Sequence, residues 1–163
     1  MANELVTTTA TNNNVVVDDL DNKVMSFFIE DVCYGVDLKN VIEIISIQYI
    51  TTVPNVPHYI KGIINLRGKI IPIIETRFKL DIEAKEYDDK TCIIIVELDD
   101  IQIGLIVDSV HEVMTLANGS TIPAKKEQRD KKYLKGVNKV GNQMVLTLDL
   151  SFFINDDNVD IAE

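Results

Sequence analysis

The sequence predicts a mainly β protein, built as two similar small barrels in one compact domain with short helices between strands. Three observations carry that prediction. Short runs of alternating apolar residues are separated by turn residues, the order of these runs repeats along the chain, and the length suits one core. At 163 residues folding can hide roughly 68–70% of the unfolded surface. Composition, 46% hydrophobic and 26% charged, is that of an ordinary globular domain.

Residues 1–22 are rich in Thr and Asn, with Asn12, Asn13 and Asn14 in a row and no sustained apolar period, which predicts a flexible N-terminal tail. Met25, Phe27 and Ile29 then alternate as a strand should. Leu38, Val41, Ile42 and Ile45 fall at i, i+3, i+4 and i+7 behind Asp37, the pattern of a short amphipathic helix with an acidic N-cap. Arg67-Gly68 marks a tight turn between two strands. Cys92 opens a wholly apolar strand, Ile101, Ile103 and Leu105 alternate in the next, and Asp99-Asp100 forms a solvated turn between them. Gly141-Asn142, a Gly-first pair suited to a two-residue hairpin, precedes a last alternation of Met144, Leu146, Leu148 and Leu150. The folded region therefore spans residues 23–154, and residues 155–163 read as an acidic C-terminal tail.

An internal echo organises these elements. A shift of 69 carries Asp31, Gly35, Val41 and Glu43 onto Asp100, Gly104, Val110 and Glu112. A shift of 74 carries Tyr59, Lys61, Gly62 and Phe78 onto Tyr133, Lys135, Gly136 and Phe152, with Glu75 meeting Asp149. The extra five residues fit an insertion between Thr115 and Lys132. Repeated units repeat their turns and strand phase together, so each half reads as a strand, a Gly-containing strand, a short helix and a two-stranded hairpin.

Charge and motifs exclude several function classes. The net charge of −10 repels phosphate backbones and anionic lipid heads. The longest apolar run, the five residues Cys92 to Val96, is far short of the ~20 that cross a bilayer. With no signal-peptide pattern either, the protein reads as cytosolic. The two cysteines, Cys33 and Cys92, read as buried reduced thiols. His58 and His111 have no spaced metal partner, and no phosphate-loop, dinucleotide or nucleophile-elbow motif occurs. On helical phase His111 joins the inward stripe of Val107, Val110 and Met114 as a core or boundary histidine. Two charged residues stand apart from this core. Glu43 points away from the apolar stripe of its helix and should be exposed, and Arg67, at a hairpin tip, presents a guanidinium suited to carboxylate recognition.

The run from Tyr59 through Lys61-Gly62-Ile63-Ile64-Asn65-Leu66-Arg67-Gly68-Lys69-Ile70-Ile71-Pro72 to Ile74 resembles the signature of the CheW family of bacterial chemotaxis coupling proteins. Cys33-Tyr34-Gly35-Val36-Asp37 with Val41-Ile42-Glu43-Ile44, Gly104-Leu105-Ile106-Val107-Asp108-Ser109-Val110 and Tyr133-Leu134-Lys135-Gly136 are similar to its other shared elements, so the likeness covers residues 23–154. Glu75-Thr76-Arg77 stands where the family usually has D-L-R, Asp81 follows Leu80 where a glycine is common, and the N-terminal tail is long.

The resemblance implies two five-stranded SH3-like barrels on a shared hydrophobic core, no catalysis and no cofactor. It implies an adaptor that links the cytoplasmic tips of methyl-accepting chemoreceptors to the regulatory domain of the histidine kinase CheA, in receptor arrays at the inner membrane. The first barrel would pair with the kinase domain, and the receptor would dock near the groove between barrels. By position, Glu43, Arg67, Gly62 and Val41 match residues implicated in those contacts, while Val41 also lies on the apolar stripe. An adaptor of a pilus or other chemosensory pathway is the alternative within the family. A small-barrel nucleic-acid module is the alternative outside it, opposed by the acidic charge.

Overall fold

A computed structural model describes residues 20–117, 121–122 and 132–154. Most of the N-terminal tail, the acidic C-terminal tail and most of the insertion between Thr115 and Lys132 lie outside the described residues. The strands are β1 (Lys23–Ile29), β2 (Val32–Asp37), β3 (Val41–Ser46), β4 (Ile60–Leu66), β5 (Lys69–Glu75), β6 (Cys92–Leu98), β7 (Ile101–Val107), β8 (Ser109–Thr115), the two-residue β9 (Thr121–Ile122), β10 (Leu134–Val140) and β11 (Gln143–Leu148). Two short helices, α1 (Thr76–Lys79) and α2 (Leu150–Ile154), follow β5 and β11. Leu150, read from sequence as the end of an alternating strand, instead opens α2 and is buried.

The strands form two sheets, ordered β3-β6-β7-β5-β4 and β8-β1-β2-β11-β10-β9. These are the two SH3-like subdomains, and the duplication is visible in their registers. Val24 faces Asp37 as Ile93 faces Ile106, and Lys23 faces Thr115 as Cys92 faces Ser46. The β4–β5 and β10–β11 hairpins share a bulge at the same place, between Ile60 and Gly62 and between Leu134 and Gly136. Even the small bridge of Thr51 to Ile63 has its counterpart in Ile122 to Val137.

The halves nevertheless do not each make a barrel. β1 and β2 of the first half lie in the sheet completed by β8 to β11 of the second, and β6 and β7 of the second lie in the sheet completed by β3, β4 and β5 of the first. This reciprocal exchange follows from the short crossings after β2 and β7. Each turns the chain out of its own sheet, so the next strand pairs with the other half's first strand.

The predicted helix over Leu38–Ile45 is one 3-10 turn, Leu38–Asn40, followed by β3. Its 3.6-residue period was a coincidence of spacing. Val41, Ile42, Ile44 and Ile45 are all β-branched, which favours extended backbone, and the ladder with β6 pairs Val41, Ile44 and Ile45, with Ile42 at a bulge. Asp37 makes no capping bond and instead accepts a hydrogen bond from Lys135 Nζ at 2.6 Å. In β8, the counterpart of β3, His111 is exposed and not in the core; its ring lies 5.1 Å from that of Phe28.

Burial follows the architecture. One barrel interior packs Ile64, Ile71, Ile73, Ile93, Ile95 and Ile106, and the other packs Val24, Cys33, Met114 and Val145. A larger shared core, including Phe27, Tyr34, Val36, Ile94, Leu105, Leu148 and Phe153, draws from both sheets and both hairpin helices. Each fully buried Ile, Leu or Phe contributes about 1.5–3 kcal/mol, so this common layer holds the barrels together. Cys33 is a buried free thiol, pushed up in pKa chiefly by burial, whereas Cys92 is only partly buried.

Candidate docking surface

The β4–β5 hairpin positions Arg67. Leu66 and Lys69 pair across a two-residue turn in which Arg67 has φ 53° and Gly68 φ 86°, the mirror-image turn whose twist matches antiparallel strands. A left-handed arginine costs on the order of 1 kcal/mol. Asn65 offsets part of that strain by accepting a hydrogen bond from the Gly68 N–H at 2.9 Å.

From this tip the Arg67 guanidinium reaches across to the Glu43 carboxylate and forms an ion pair. Glu43 faces Ile95 in the β3–β6 ladder and lies on the face of Ile45, at the mouth of the first barrel's interior. It is therefore half-buried, with 27% of its side chain exposed against 69% for Arg67. This corrects the exposed Glu43 of the helical reading: in a strand it shares the inward phase with Ile45, while the bulge between Val41 and Glu43 turns Val41 toward the shared core. An ion pair so exposed is worth about 0–1 kcal/mol and can be traded for a partner's charges at little cost.

The structure thus brings together Glu43 and Arg67, with Val41 two residues from Glu43 on β3 and half-buried against the shared core. Gly62 is different. It is buried at the bulge of β4 with φ 153°, and a Cβ there would lie 2.1 Å from the Thr51 carbonyl oxygen. Its lack of a side chain lets the segment at Thr51 exchange two 2.9 Å backbone bonds with Ile63. Gly62 shapes the loop entering β4 and presents nothing to a partner directly.

The sequence reading missed the outer face of β3. Ile42 and Ile44 are 46% and 39% exposed, and Tyr49 and Ile70 are exposed as well. A period-2 reading of Val41 to Ser46 would have separated these outward isoleucines from Val41, Glu43 and Ile45. The second half keeps the acid, Glu112, but has Gly141 where the first has Arg67, so the pair belongs to one barrel only. Glu112 instead lies 3.4 Å from His111.

Among the described residues no cluster of three or more His, Cys, Asp or Glu is placed to hold a metal, and no helix is long and apolar enough to cross a membrane. Glu75 is a buried carboxylate whose pKa burial raises, against opposing hydrogen bonds from the Tyr87 hydroxyl at 2.5 Å and the Arg77 N–H. Those partners account for it as a cap of α1 and an anchor for the loop that follows.

A pseudo-symmetric pair of β-barrels joined through one core, with a charged hairpin tip on one barrel only, defines a docking scaffold. The chain belongs to the CheW-like family: the CheW-like domain profile matches residues 23–158. It is 30% identical over 132 residues to the chemotaxis protein CheW of Klebsiella aerogenes, covering 80% of each chain. It is likewise 30% identical to the chemotaxis protein CheW of Thermotoga maritima, covering 82% of this chain and 88% of that one. The crystal structure of the scaffolding protein TtCheW from Thermoanaerobacter tengcongensis superposes with a TM-score of 0.78 at 34% identity, over 85% of this chain and 95% of that one. The chain is accordingly a chemotaxis adaptor.

Proposed function

We propose that the chain couples the cytoplasmic tips of methyl-accepting chemoreceptors to the regulatory domain of the kinase CheA, without catalysis, in arrays at the inner membrane. The observation that carries this reading is the Arg67–Glu43 pair on a rigid hairpin, present in the first barrel and absent from the second. A planar guanidinium held by a tight turn can form bidentate bonds to a partner carboxylate, and Glu43 keeps it oriented until the partner arrives. Ile42, Ile44 and Ile70 supply apolar area on the neighbouring strands. Gly62 contributes through the loop it seats, and Val41 through the set of β3 against the core. Two separate surfaces on one body raise effective concentration, so moderate contacts suffice for a stable array.

The test is capture of the chain by the kinase regulatory domain and by a receptor cytoplasmic fragment from the same genome. Arg67→Glu should weaken at least one capture by roughly tenfold or more, the scale of about 1.4 kcal/mol lost at a charged contact. Its melting temperature should stay within about 3 °C of the parent, because only a surface pair is lost. Undiminished capture of both partners by this variant would overturn the site.

A further inference from the structure

We propose that Arg77 sets the angle between the two barrels, and with it the spacing of the two docking surfaces, acting as a positioning residue rather than a contact residue. Its binding consequence rests on the adaptor reading above; its structural consequence does not.

Arg77 lies in α1, directly after β5 of the first barrel, and is 2% exposed. Its Nε donates to Asp108 Oδ1 at 2.9 Å and its Nη2 to Oδ2 at 2.5 Å, a bidentate pair. Nη2 also lies 2.6 Å from Glu30 Oε2, and Nη1 donates to the Glu83 carbonyl at 2.7 Å. These partners belong to different bodies. Glu30 is in the β1–β2 turn of the second barrel, and Asp108 is the residue at which the chain leaves β7 for β8 and so crosses between sheets. Asp108 is itself tied to the second barrel, since its N–H donates to the Phe28 carbonyl at 3.1 Å and its Oδ2 accepts from the Glu30 N–H at 2.8 Å. One guanidinium therefore joins the helix after β5 of one barrel to the crossing and to a hairpin of the other.

Compared with apolar residues of similar size, buried ion pairs add little net stability. What a bidentate pair adds is direction, because two parallel bonds form at only one relative orientation of fork and carboxylate. The second half of the chain shows what the fold does without this device. The repeat puts Ser151 in place of Arg77, Lys39 in place of Asp108 and Asp99 in place of Glu30. At that other crossing the structure has a cavity of about 290 Å³ lined by Lys39, Asn40, Leu98, Asp149 and Ser151 among others. The ion pair that lines it, Lys135 with Asp37, joins two strands of one sheet. Among the described residues the crossing is tied to the first barrel by a single neutral side-chain bond, from Asn40 Nδ2 to the Glu97 carbonyl at 2.9 Å, with no charged fork. The barrels are thus bolted at one crossing and left with an open space at its pseudo-symmetric mate, so releasing the bolt leaves a gap into which they can pivot.

The experiment places spin labels at the two hairpin tips, Lys69→Cys and Asn142→Cys, in the full chain carrying Cys92→Ala, and reads their distance distribution. Arg77→Met is compared with the parent and with Val137→Ala, which removes buried volume inside the second barrel away from the bolt. The parent and Val137→Ala should give one narrow distribution, and Arg77→Met a broader or displaced one. Arg77→Lys should fail to restore it, since an ammonium cannot make the fork. A distribution unchanged in Arg77→Met, or broadened equally in Val137→Ala, overturns the proposal. If Arg77→Met does not fold, Asp108→Asn is read in its place with the same two outcomes. In binding, Arg77→Met should capture the kinase domain and the receptor fragment singly within about twofold of the parent, yet assemble all three about tenfold less well. A parent chain that captures neither partner refutes the adaptor reading, while the distances still decide the role of Arg77.

Discussion

At the scale of single residues, two acids, the partly buried Asp108 and the buried Glu75, pull the protein's pH response in opposite directions. Burial raises Asp108, but hydrogen bonds from Arg77 and from the Glu30 N–H, together with the charge of Arg77, outweigh it and hold this carboxylate below its ordinary range. Its stabilisation is complete above the unfolded carboxylate range and is lost as pH falls through the depressed value. Glu75 is raised, mainly by burial, so the stability associated with its protonated form is present in acid and lost as pH rises through its folded pKa. Urea midpoints from acidic to neutral pH should therefore show Asp108→Asn falling furthest behind the parent near neutrality and converging with it in acid. Glu75→Gln should gain on the parent as pH rises. A parallel offset at all pH values for both variants would mean that neither carboxylate titrates as its surroundings dictate. At this scale Arg67 at a hairpin tip was readable from the chain, whereas the burial of Arg77 was not, because its partners lie 31 and 47 positions away at Asp108 and Glu30.

At the scale of elements, the hairpins were legible and the crossing was not. Arg67-Gly68 and Gly141 carry their turn geometry in the local residues, with φ 53°, 86° and 61°, so sequence alone places them. The stretch from Leu38 to Ile45 matched a helical period because four apolar residues happened to fall on it. Only pairing with β6 decided for a strand, and with it the half-buried position of Glu43. Gly62 makes the element-scale prediction. Because a Cβ would meet the Thr51 carbonyl at 2.1 Å with φ at 153°, Gly62→Ala should cost roughly 2–4 kcal/mol. It should therefore lower the melting temperature by about 5–15 °C. Reduced partner capture in that variant should follow the displaced 51–59 loop, and recover in part at low temperature where the fold is populated. An unchanged melt would show that the loop gives way and that Gly62 is not a close-packing site.

At the scale of the whole molecule, the exchange of strands makes the two barrels one cooperative unit. Residues 20–91 contain β1 and β2 without β8 and β11 beside them, and β3 and β5 without β6 and β7. That half alone should show no cooperative thermal transition, and mixing it with residues 92–163 should restore one; a half that melts cooperatively by itself would mean that it re-pairs its own strands. The β class, the duplication at shifts of 69 and 74, the two hairpin turns and the family likeness are all readable in the chain alone. Those properties live in local periodicity, turn chemistry and motif order, which the chain carries wherever it runs. Tertiary structure alone decided that the halves trade strands, that Glu43 meets Arg67 at a barrel mouth, and that Arg77 bolts one crossing while its mate stays open. Each of these depends on which strand finds which neighbour. That choice is made by burial of a common core between residues far apart in sequence, and no local pattern encodes it.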